Sequence, residues 1–102
     1  MAGGITDSIK NFVVGIVKLI VDNPSGVDAT VSTTTKSIVV QIKADQSDLG
    51  KIIGKRGRTI DALKILTSVV KNTQFLGDTK DVFVEIIEDE KSDFLKNKNN
   101  SK

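Results

Sequence analysis

Leu49-Gly50-Lys51-Ile52-Ile53-Gly54-Lys55-Arg56-Gly57-Arg58-Thr59-Ile60-Asp61-Ala62-Leu63-Lys64 is the stretch on which the fold of this chain turns. Just before it, Asp45-Gln46-Ser47-Asp48 offers capping side chains for a short helix through Leu49, Ile52 and Ile53, which Gly54 ends. Beyond Gly57, the residues Ile60, Leu63, Leu66, Val69 and Val70 fall on one helical face that continues to the Gly77-Asp78 turn. Gly54-Lys55-Arg56-Gly57 is therefore a loop between two helices. Glycine admits positive φ and brings backbone close to a ligand with no Cβ in the way. The helix that follows presents free N–H groups and the positive end of its dipole, both suited to a phosphate. Between Asp48 and Arg58, the four cations Lys51, Lys55, Arg56 and Arg58 stand against one carboxylate, a balance of +3. The whole chain carries +2, so the remaining residues sum to −1 and the positive charge is local to this loop.

Working outward, Ile5, Ile9, Phe12, Val13, Ile16 and Ile20 recur at helical spacing, and Asn23-Pro24 supplies the stop. Val14, Val17 and Val21 widen this apolar face, which fits deep burial or a partner helix, burial being the simpler expectation. Val27, Ala29 and Val31 then alternate with polar residues, as do Ile38, Val40 and Ile42, so two strands form a hairpin with Thr33-Thr34-Thr35 near its tip. A third strand is expected from about Val82 to Ile87, with Val82, Val84 and Ile86 on one side and Phe83, Glu85 and Ile87 on the other. From Glu88 onward the chain is rich in Lys and Asn, with only Phe94 and Leu95 apolar, which reads as a solvated, disordered tail. Three strands with helices on one face make a two-layer α+β sandwich.

Composition narrows the function. A chain of 102 residues holds one modest core, and with four aromatic residues in all, that core is built from Ile, Val and Leu. The absence of Cys and His removes disulfides, thiolate nucleophiles, imidazole bases and the usual zinc ligands together. The apolar run from Ile5 to Val21 is interrupted by Asp7, Lys10, Asn11 and Lys18, which argues against a signal peptide or a membrane span. A soluble, cytoplasmic protein without catalytic activity, cofactor or metal is the expectation.

Two glycines three apart arise easily by chance in a chain with eight of them, so the surroundings decide. The quoted stretch resembles the core signature of KH domains, in which two helices flank a GxxG loop that clamps the backbone of about four nucleotides. Ile53 just before the first Gly and Ile60 three after the second both match. The element order α-β-β-α-α-β resembles the type II KH fold, and the chain resembles the small bacterial KhpA family from Ile5 to Glu88. That resemblance implies a single KH domain over residues 1–88, with residues 89–102 as tail. It implies single-stranded RNA bound by Gly54, Lys55, Arg56 and Gly57, with Lys51, Arg58, Ile52 and Ile53 around them. It further implies an RNA chaperone or post-transcriptional regulator, self-association as a homodimer, and pairing with a larger KH-containing protein of the KhpB or Jag type. The alternative is a protein-interaction module whose apolar helical faces matter and whose RNA affinity is incidental.

Rival readings fail on detail. A P-loop needs four residues between its glycines and Ser or Thr after Lys, whereas Gly50 and Gly54 enclose three and Arg56 follows Lys55. A DNA-reading helix would need base-reading side chains where the helix after Gly57 carries Ile60, Leu63, Leu66 and Val69 for the core. Glu88, Asp89 and Glu90 read as a solvated run rather than a metal cluster, and Asp61 and Lys64 as a solvated face. Phe83 is expected to pack, and Ile42 to line the groove or join the core.

Overall fold

The computed structural model describes residues 4–87. Helix α1, Ile5–Ile20, buries Ile9, Val13 and Val17 completely, three residues spaced by four that make one stripe. Val14 and Val21 are partly buried against the same core, so the wide apolar face of α1 is accounted for within the fold. Pro24 opens a single tight turn, Pro24–Gly26, where its fixed φ suits the first helical position and its missing N–H costs nothing.

Strands β1, Asp28–Thr33, and β2, Ser37–Lys43, pair antiparallel with Val31 opposite Val40. The Thr-rich tip works as a turn through one hydroxyl. Thr34 Oγ1 accepts from the backbone N–H groups of Lys36 and Ser37 at 3.2 and 2.9 Å, and the Thr34 N–H donates to the Ser37 carbonyl. After β2 the chain crosses over through helix α2, Leu49–Ile53, and helix α3, Arg58–Gln74, and returns as strand β3, Asp81–Ile86. A return after so long a crossover permits a parallel pairing. β3 lies parallel to β2 with Val40 opposite Val84, giving a mixed sheet in the order β1-β2-β3. This is the α+β, type II KH arrangement expected from the order of elements, with β2 central and β1 and β3 as edges.

Strand alternation places Ala29, Ile38, Val40, Ile42 and Val82 on the buried face, where they meet α1, Ile52 and Leu63. Each such side chain contributes roughly 1.5–3 kcal/mol by leaving water. Ile42 is core, not groove. No helix among the described residues is long and apolar enough to cross a membrane. The acidic run and the tail expected from Glu88 onward lie outside the described residues.

Two expectations about side chains are corrected. Leu66 and Val69 on α3 are 46% and 53% exposed, and the stripe that faces the sheet is Leu63, Thr67 and Lys71. α3 carries apolar residues on two sides, so periodicity alone could not choose between them. Lys71 resolves the choice, because its Nζ donates to the carbonyls of Asp78 at 3.1 Å and Lys80 at 2.6 Å and so satisfies the loop that leads into β3. Phe83, expected to pack, is 45% exposed, because it falls on the outward side of β3, where no helix among the described residues covers the sheet.

Candidate nucleic-acid interface

The turn between α2 and α3 is built from three unusual backbone conformations in four residues. Gly54 has φ 78° and ψ 172°, Arg56 has φ 57° and ψ 27°, and Gly57 has φ 75° and ψ 13°. The Gly54 conformation is open only to glycine, and a Cβ there would meet Thr59 Oγ1, its Cβ at 2.7 Å and its backbone N at 2.8 Å. Gly54 is what lets the first turn of α3 fold back onto the end of α2. At Gly57 the added Cβ would meet nothing within 4 Å, so that glycine serves the left-handed conformation alone. The turn closes through the N–H groups of Gly54 on Gly50, Gly57 on Gly54 and Arg58 on Lys55.

Arg56 is the one described non-glycine residue at positive φ. Strain of this kind costs about 1–2 kcal/mol for an L-residue, and here it turns the side chains of Lys55 and Arg56 into solvent. Lys55, Arg56 and Arg58 form no ion pair among the described residues. They stand at the N-terminus of the 17-residue helix α3, whose dipole adds to their charge. Asp61, exposed in the first turn of α3, is the one carboxylate close to them in sequence.

The other expected contact residues divide. Ile53 is 42% exposed beside the turn and can touch a base. Ile52 is fully buried and offers no surface, a correction that follows from α2 being a single short helix whose inward position is Ile52. Lys51 is exposed but paired, with its Nζ 3.2 Å from Asp22 and 4.0 Å from the buried Asp48, so its charge is partly matched. The positive surface is thus narrower than the sequence implied and centred on Lys55, Arg56 and Arg58.

Of the capping side chains that Asp45-Gln46-Ser47-Asp48 offers, Asp48 makes no hydrogen bond to α2. It is buried and accepts from the backbone N–H groups of Asp22 at 3.1 Å and Asn23 at 2.9 Å, and from Asn23 Nδ2 at 3.1 Å. Burial raises its pKa, but these donors and the nearby Lys51 outweigh burial and hold the carboxyl below its ordinary 3.8. Asp48 therefore ties the chain leaving α1 to the start of α2 and fixes where the turn stands. The only sequence signal for this was an acidic residue three before Lys51. Asp45 caps the tight turn Gln46–Asp48 that leads into α2, its Oδ1 accepting from the Ser47 N–H at 3.2 Å. No group of three potential metal ligands occurs among the described residues.

The chain is similar to known KH-domain proteins. The family model described as "KhpA/KhpB, KH domain" matches residues 10–86. The RNA-binding protein KhpA of Chlamydia trachomatis is 37% identical over 81 residues, covering 79% of this chain and 99% of that protein. The RNA-binding protein KhpA of Caldanaerobacter subterraneus is 38% identical over 72 residues, 71% of this chain and 91% of its own length. The RNA-binding protein KhpA of Streptococcus pneumoniae serotype 4 is 33% identical over 60 residues, 59% of this chain and 76% of that protein.

Proposed function

The chain belongs to the KhpA/KhpB KH-domain family, and from that premise we propose that it binds single-stranded RNA at the turn Gly54–Gly57, as a non-catalytic RNA chaperone or post-transcriptional regulator. The observation that carries this reading is the pair Lys55 and Arg56, held outward by a strained turn at the N-terminus of α3 without an ion-pair partner among the described residues. Phosphates sit against the free cations and the helix N-terminus, Gly54 and Gly57 allow close approach of the RNA backbone, and Ile53 meets a base. Contacts made chiefly to phosphates do not discriminate sequence, which suits a chaperone.

Lys55→Asp combined with Arg56→Asp tests the reading. Both residues are exposed, so the circular dichroism spectrum and melting temperature should hold while affinity for an oligouridylate falls steeply. In the wild-type protein, log K should fall with log salt at a slope of about −0.7 per phosphate engaged. A folded double variant with wild-type affinity and salt slope would refute the assignment.

The expected self-association has a better location than α1. Ile65, Leu66 and Val69 are all exposed and lie along one side of α3, and Leu76 is exposed just beyond its end. A second copy, or a larger KH-containing partner of the KhpB or Jag type, would cover that stripe and leave the loop free. Two linked KH units grip RNA more tightly than one without any new contact.

A further inference from the structure

The α3–β3 side of the molecule carries a groove that the loop reading does not use. Its volume is about 560 Å³, and Lys64, Ser68, Asn72, Lys80 and Phe83 line it. Among the described residues β3 is an edge strand, and Asp81, Val82 and Phe83 at its start border the groove. Phe83 lies half exposed at that edge, and the Lys64 Nζ stands 5.5 Å from its ring centroid, within cation–π range. Three lysines, Lys64, Lys71 and Lys80, line the groove against Asp78 and Asp81, a balance of +1. Lys71 and Lys80 are both matched with Asp78, at 3.6 and 3.3 Å, whereas Lys64 forms no ion pair among the described residues.

The groove lies along the same face of α3 that begins at the loop. Positions 57, 61, 64, 68 and 72 fall on one side of a helix with 3.6 residues per turn. Gly57 therefore stands at the head of the face that presents Lys64, Ser68 and Asn72, with Lys64 about 10 Å further along the axis at 1.5 Å per residue. An RNA strand leaving the loop along this face passes the exposed carboxylate of Asp61 and then meets the unpaired cation of Lys64, the exposed ring of Phe83, and the hydroxyl and amide of Ser68 and Asn72.

We propose that this groove holds a further nucleotide of the same RNA strand, its base stacked on Phe83 and its phosphate neutralised by Lys64. The proposal rests on the RNA-binding reading above and extends its track from the loop along α3. An aromatic face accepts any base, so this subsite lengthens the footprint without adding sequence preference. Ser68 and Asn72 supply hydrogen-bonding groups for the sugar or the base edge.

The test uses the full chain with oligouridylates of four and eight nucleotides, titrated against wild type, Phe83→Ala, Phe83→Tyr, Lys64→Gln and the Lys55→Asp/Arg56→Asp double variant. Phe83→Ala should weaken the eight-mer about five- to a hundredfold, the range of one base–aromatic stack, and leave the four-mer within twofold of wild type. Phe83→Tyr should restore the eight-mer. Lys64→Gln should reduce the salt slope of the eight-mer by about 0.7 and leave that of the four-mer unchanged. An unchanged eight-mer affinity in a folded Phe83→Ala protein overturns the groove while the loop stands, provided the double variant still loses both oligonucleotides. Equal losses for both lengths overturn it as well, because the ring would then act on the loop or the fold. A double variant that binds normally, with a Phe83→Ala protein that has lost the eight-mer, would overturn the loop and keep the groove.

Discussion

Replacing Arg56 separates the strain of the turn from its charge. Arg56 sits at φ 57° and ψ 27°, a left-handed conformation that costs an L-residue about 1–2 kcal/mol. Arg56→Gly removes that strain, but adds about 0.4–1 kcal/mol of unfolded-state freedom. Arg56→Ala keeps the strain and the smaller unfolded-state entropy. The glycine variant should therefore be the more stable of the two by about 0.5–1 kcal/mol. For a domain near this size, 1 kcal/mol moves the melting temperature by about 4–8 °C, so differential scanning fluorimetry should resolve a gap of a few degrees. Both variants lose the same cation, and both should lower RNA affinity and reduce the salt slope by about 0.7. Binding and stability then move independently. An alanine variant that melts at or above the glycine variant would show that Arg56 is not left-handed. A glycine variant that melts well below wild type would show that the Arg56 side chain holds the fold together. An unchanged salt slope in both would remove Arg56 from the phosphate contacts.

Gly54→Ala should cost at least about 2 kcal/mol from backbone strain alone, with the Thr59 contact adding to it, whereas Gly57→Asn should cost less than about 1 kcal/mol because Asn tolerates the left-handed region and the space is open; chemical denaturation of both variants compares them directly, and equal losses would contradict the geometry. Asp48 has a folded pKa below its ordinary 3.8, so its contribution is complete near neutral pH and is lost as pH falls through the folded value; the stability gap between wild type and Asp48→Asn should narrow on acidification, and a constant gap would show that the carboxylate charge plays no part. Asp61→Asn removes the one acid beside the loop cations and should raise RNA affinity severalfold, most at low salt; lower affinity would place Asp61 in the site as a contact. Leu66→Glu with Val69→Glu should leave the fold intact, since both residues are half exposed, and should yield a monomer in sedimentation where the wild type associates; a monomeric wild type would leave the α3 stripe without this role.

Much of this fold was legible because its signals were local. Ile9, Val13 and Val17 mark a buried helical stripe, Ile38, Val40 and Ile42 mark a strand, and Gly54 and Gly57 mark a turn, each through spacing alone. The misread positions are those where two local patterns were equally good. Ile52 and Ile53 are adjacent aliphatics on a helix of five residues, too short for periodicity to say which one points inward. Lys51 pairs with Asp22, which lies just beyond α1 and far from Lys51 in sequence, a contact that local spacing does not display. Phe83 alternates correctly within β3, but only the packed fold shows that no described helix covers the outward face on which its ring lies.

Two more misread residues, Leu66 and Val69, lie on α3, and the reason bears on function. A helix with one task shows one apolar stripe, whereas α3 buries Leu63 beside the polar Thr67 and Lys71 and exposes Ile65, Leu66 and Val69. Lys71 is tolerable in the core because its ammonium reaches two carbonyls and the Asp78 carboxylate, and that reach fixes the loop before β3. Holding that loop in turn places Lys80 and Phe83 along the groove. One helix therefore presents its N-terminus to the loop, a polar face to the groove, a mixed face to the sheet and an apolar face to solvent. Four demands on 17 residues leave no single periodicity for the sequence to display. Contradictory patterning within an otherwise consistent domain is where functional surfaces are expected, and in this chain the contradictions converge on α3 and the turn that precedes it.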